Sequence, residues 1–150
     1  MTRFIRNNSV LSLFVFILVL AMQIAVAAPP LPNPVLTFVG SEEIESGGKR
    51  TIRYHFDVFN KDEYPAELFA AAPDLPACGA NTKAARTWVD VYEQSGKRLN
   101  GFCALAKPAD LGKLWFALEA DEVPPSWVYI ELTDRKTNTK YKSNLAETTL

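Results

Sequence analysis

Trp127-Val-Tyr-Ile-Glu-Leu-Thr133 decides how the rest of the chain is read. Val128, Ile130 and Leu132 fall on one side of an extended backbone, and Trp127, Tyr129 and Glu131 on the other. Alternation with period two over β-branched and aromatic residues predicts a half-buried strand. Asp134-Arg-Lys-Thr-Asn138 carries turn chemistry and sends the chain back through Thr139–Leu145, completing a hairpin.

The same pattern recurs towards the N-terminus. Leu114–Glu119 places Leu114, Phe116 and Leu118 on one face, with Trp115 and Glu119 on the other. Arg86–Tyr92 places Val89 and Val91 opposite Trp88, Asp90 and Tyr92. It pairs with Lys97–Leu105 around the turn Glu93-Gln-Ser-Gly96. Within Arg50–Phe59, Ile52, Tyr54, Phe56 and Val58 oppose Arg53, His55 and Asp57. Val35–Val39 reads as a short strand followed by an acidic turn, Gly40–Gly48. Pro65–Ala72 reads as one or two helical turns, Lys107–Gly112 as a loop with a helical turn, and Ala146–Leu150 as a fraying tail. About seven short strands without long helical periodicity predict an all-β fold, an antiparallel β-sandwich spanning residues 35–150.

Leu118…Pro124-Pro125-Ser126-Trp127, the strand that follows and Lys140-Tyr-Lys-Ser-Asn144 resemble the last hairpin of fibronectin type III and immunoglobulin-like domains. Ala85–Tyr92, Gly101–Leu105 and Leu111–Phe116 are similar to small exported bacterial proteins that carry such a domain. The resemblance covers the last third best and implies a fold and an export route, but no activity. Tyr54 and Phe56 stand where fibronectin type III domains usually carry an early tryptophan.

Residues 1–27 have the layout of a secretory signal. Arg3 and Arg6 precede an apolar run from Val10 to Met22, and Ala25-Val-Ala27 offers a small-x-small cleavage site. Cleavage is expected after Ala27. If retained, the run from Val10 to Ala28 is close to the ~20 apolar residues that span a bilayer. Residues 28–34, Ala-Pro-Pro-Leu-Pro-Asn-Pro, form a stiff, extended lead. Removing the signal takes away two arginines and no acid, so the formal charge of −1 becomes more negative by two. A mildly acidic domain is a poor electrostatic match for nucleic acid or an anionic membrane. A periplasmic or secreted location follows. The two cysteines, Cys78 and Cys103, are expected to form a structural disulfide there.

The inventory disfavours most catalytic templates. His55 is the only histidine and reads as a solvent-facing strand residue beside Asp57. No Gly-x-Ser-x-Gly elbow occurs, and Ser46-Gly-Gly-Lys-Arg-Thr51 lacks the phosphate-loop spacing and reads as a turn. No cofactor or metal is expected; Glu42, Glu43 and Glu45, or Asp121 and Glu122, read as solvated acidic turns. The expectation is therefore a non-catalytic protein-binding or structural domain. Its candidate surface is the aromatic strip Trp88, Tyr92, Trp115, Trp127 and Tyr129, formed if these strands share one sheet. The alternatives are a carbohydrate-binding module that uses the same aromatics, and a small hydrolase that uses acidic residues.

Overall fold

The computed structural model describes residues 30–78 and 84–149. The expected signal, residues 1–27, lies outside them, and the proline lead is described from Pro30 onward. Among the described residues eight strands form two antiparallel sheets packed face to face. The strands are β1 (Leu36–Ser46), β2 (Lys49–Val58), β3 (Thr87–Glu93), β4 (Arg98–Phe102), β5 (Leu114–Glu119), β6 (Trp127–Asp134), β7 (Thr139–Lys142) and β8 (Ala146–Glu147). One sheet has the order β1-β2-β5. The other has the order β4-β3-β6-β7, with β8 also pairing to β6. The β-sandwich read from the sequence is therefore the observed fold. No helix among the described residues is long and apolar enough to cross a membrane.

The aliphatic faces point inward, as strand parity predicts. Val89, Val91, Val128, Ile130 and Leu132 of one sheet meet Tyr54, Phe56, Val58, Leu114 and Phe116 of the other, all buried. The Phe116 ring stacks on Tyr54 at 4.9 Å and on Phe56 at 5.8 Å between centroids. Two 3-10 turns, Ala66–Phe69 and Pro108–Lys113, add Leu68, Phe69 and Leu111 to this core.

Two expectations need correction. The segment read as an acidic turn after Val39 is instead the continuation of β1, which runs to Ser46. A bulge at Val39–Gly40 places two residues opposite His55 and breaks the period-two signal. The hairpin turns only at Gly47-Gly48, where φ is 60° and 77°, a pair that side-chain-bearing residues adopt at a cost. The tail does not fray at Ala146: β8 pairs with β6, and Thr148 donates its N–H to Ser126 and its hydroxyl to Pro125 O. His55 faces outward as expected and lies 2.9 Å from Glu42 Oε1, while Asp57 accepts from Lys61 Nζ at 2.7 Å.

Asparagine side chains close the open margins of the sandwich. Asn144 accepts from Leu36 N at 2.8 Å and donates to Leu36 O at 3.0 Å, tying β1 to the other sheet. On the opposite side Asn100 donates to Trp115 O at 2.7 Å and joins β4 to β5. Asn60 accepts from Val35 N and donates to Asn33 O, and the Tyr64 hydroxyl donates to Pro32 O, so the end of the lead at Pro32 and Asn33 is docked. Burial, with Glu63 nearby, pushes the Tyr64 hydroxyl well above its ordinary pKa. Cys78 and Cys103 form the expected disulfide, with Cα atoms 6.2 Å apart.

Candidate functional site

Period two selects a face but not a sheet. Trp88 and Tyr92 of β3 and Trp127 and Tyr129 of β6 share the outer face of the five-stranded sheet. Tyr92 lies directly opposite Tyr129, and Asp90 opposite Glu131. Trp115 is not with them. Its strand, β5, pairs with β2 in the other sheet, where Trp115 stands opposite His55. The structure thus brings four of the five candidate aromatics onto one face and separates the fifth.

Most of these rings have lost their free faces. Tyr92 and Tyr129 stack on each other at 5.3 Å, and Lys142 Nζ sits 3.9 Å from the Tyr129 centroid. The Arg135 guanidinium lies 4.2 Å over Trp88, and Arg53 lies 4.5 Å over Trp115, whose ring also meets Phe102 edge-on at 6.0 Å. Cations hold these positions because the negative ring face attracts them. Trp127 alone has no such cover among the described residues.

The acids on this face are occupied as well. Asp90 and Glu131, like charges directly opposite, would repel. Arg98 Nε donates to Asp90 and Lys140 Nζ to Glu131, both at 2.6 Å, from the flanking strands β4 and β7. A Cβ at Gly101 would stand 1.8 Å from the Arg98 guanidinium and 2.7 Å from Asp90 Oδ1, so the bare glycine makes room for this ion pair. Burial raises the Tyr92 pKa, with Asp90 and Glu131 adding to the rise.

Three of the remaining acidic candidates are engaged in the same way. Glu42 holds Arg53 and His55, Glu43 holds Arg50, and Glu122 accepts from Glu119 N at 2.9 Å. Among the described residues no group of three His, Cys, Asp or Glu side chains is placed to hold a metal ion.

The open feature lies at the margin where β1 faces β8. A shallow groove of about 370 Å³ has Leu36, Thr37 and Phe38 on one wall and Trp127, Leu145 and Glu147 on the other. Trp127 is 37% exposed, Leu145 41%, and Val39 on the adjoining bulge 58%. The sequence marks Trp127, but the groove itself escapes strand parity. Val39 sits in the bulge, and Leu145 sits where the edge strand breaks between β7 and β8. A lone leucine after polar Ser143-Asn144 is the only local signal.

A comparison with known protein families, curated proteins and solved structures finds no match for the chain.

Proposed function

We propose that this is an exported, non-catalytic domain of the fibronectin type III or immunoglobulin-like kind, which binds another protein through the groove beside Trp127. The observation that carries the reading is that Trp127, alone among the candidate aromatics, is exposed by more than a third and has no aromatic or cationic partner on its ring among the described residues. It does so in a groove that it shares with the exposed apolar side chain of Leu145 and with Phe38. Aromatic anchors at the centre of apolar patches dominate protein–protein contacts. The disulfide supports an oxidising, extracytoplasmic setting, in line with the signal-like residues 1–27.

The carbohydrate reading needs free ring faces for stacking, and Trp127 supplies one where an extended sugar chain would use several. The hydrolase reading needs carboxylates able to exchange protons. Asp90 and Glu131, the adjacent pair on the candidate face, instead hold Arg98 and Lys140.

Site-specific photocrosslinking in the envelope of producing cells tests the proposal. A crosslinking residue at Trp127 or at Leu145 is expected to give the same discrete protein adduct. One at Val123, exposed and outside the groove, is expected to give none. Equal labelling at all three positions, or no adduct from the folded protein, rejects it. A glycan-array signal abolished by Trp127→Ala favours the carbohydrate module.

A further inference from the structure

The phase of hydrogen bonding along β1 follows from its two ends. A two-residue turn at Gly47-Gly48 makes Ser46 and Lys49 a hydrogen-bonded pair, and pairing then alternates. Ile44 O accordingly faces β2, where it accepts from the Thr51 hydroxyl at 3.3 Å. The backbone groups of Glu45, Glu43 and Ser41 therefore point away from β2. At the other end Phe59 N donates to Val35 O, so the groups of Leu36 also point outward. Both outward groups of Leu36 are taken by the Asn144 amide, which sits where the peptide group of an added strand would sit. Beyond Leu36, β1 is the open edge of its sheet, and no other strand of the described residues pairs with it.

Unpaired edges are sites for strand addition, and their side chains choose the occupant. Glu42, Glu43 and Glu45 line this edge, Glu42 held by Arg53 and His55 and Glu43 by Arg50 from the neighbouring β2, and Glu147 stands in the wall of the groove next to it. Glu45 and Glu147 have no ion-pair partner among the described residues. A second copy of β1 would bring the same acids against them, whereas a basic strand complements them.

We infer that the open edge of β1 accepts an extended, basic segment of a partner protein as an added strand. An apolar side chain of that segment is seated in the groove beside Trp127. This deepens the binding role proposed for that groove and rests on it. A basic residue of the segment faces the unpaired Glu45, a second, two positions on, shares the half-exposed Glu43 carboxylate with Arg50, and an apolar residue further along reaches Phe38 and Trp127.

The test uses the disulfide-bonded protein as secreted by cells expressing the full chain. The probes are blocked synthetic peptides that alternate Lys with Val and Thr and end in Leu. Their counterparts carry Glu in place of Lys, or N-methyl groups at alternate amides. Amide exchange at Ser41, Glu43 and Glu45 is expected to slow at least tenfold with the Lys peptide, and to stay unchanged with either counterpart. Charge reversal by Glu43→Lys with Glu45→Lys is expected to weaken the Lys peptide about tenfold and to admit the Glu peptide. Ser41→Pro removes one outward N–H at an edge position that tolerates proline, and is expected to abolish the protection.

Binding of the Lys peptide without protection of these amides overturns strand addition, as does equal binding of the N-methylated peptide. So does dimerisation through β1 of the free protein in sedimentation. Each of these leaves the Trp127 adduct standing, whereas loss of that adduct rejects the binding groove itself.

Discussion

Asp134 shows how single side chains carry the ends of this sandwich. It closes β6 with its side chain only 5% exposed, and a buried carboxylate needs every lone pair satisfied. Arg86 donates to it twice, through Nε at 2.7 Å and through Nη2, and Thr137 Oγ1 and Lys136 N add two more bonds. The Arg86 guanidinium is the main reason why the Asp134 carboxyl titrates at about 2, below its ordinary 3.8. Because the folded pKa lies below the unfolded one, the stabilisation is fully present above pH ~4 and is lost as pH falls through about 2. Its size is about 2 kcal/mol, from a shift worth ~1.4 kcal/mol per unit, trimmed because Arg86 is partly exposed. Urea unfolding at pH 5 and at pH 1.5 is expected to show this loss. Asp134→Asn is expected to be less stable by about 2 kcal/mol at pH 5 and to lack that part of the pH dependence. A variant that keeps the wild-type stability at pH 5 rejects the assignment.

At the scale of elements, legibility followed local regularity. β2, β3, β5 and β6 keep unbroken period two, and each lies within two residues of where alternation alone puts it. β1 loses its signal to one extra residue at the bulge, so its acids read as a turn. β8 is two residues long, and what orders it is not propensity but the backbone of β6 and the hydroxyl of Thr148. The sheet membership of Trp115 was illegible for a different reason: alternation fixes which side chains share a face of one strand, not which strands are neighbours. The groove suffered from both limits, since it is bounded by a bulge and by an interrupted edge. The tail makes a quantitative case. Deleting residues 146–150 removes the backbone pairing to Trp127 and Val128 and uncovers Val128, which is fully buried. The expected loss is about 1–3 kcal/mol in a denaturant titration, with faster exchange of the Val128 amide. A truncated chain of unchanged stability shows that β8 contributes no net binding to the sheet.

On the scale of the whole molecule, the sandwich is closed at several separate places, and these closures divide its two ends. Around Asp134 the segment preceding β3 is tied down by four bonds. Cys78 bonds Cys103, Arg135 donates to Ala85 O and Pro76 O, and Ala85 N donates to Cys103 O. Trp127 begins β6 and Asp134 ends it, so these ties and the groove are roughly 23 Å apart at ~3.3 Å per residue. Neither cysteine belongs to the hydrophobic cluster that joins the sheets. The disulfide should therefore stabilise by restricting the unfolded chain across its 25-residue span rather than by building the core. Paired Cys78→Ser and Cys103→Ser substitution is expected to cost about 3 kcal/mol in urea unfolding. The far-ultraviolet spectrum and the Trp127 adduct should be unchanged under native conditions. Loss of the adduct in a variant that remains folded would mean that the two ends communicate, and that the groove depends on the loop the disulfide restrains.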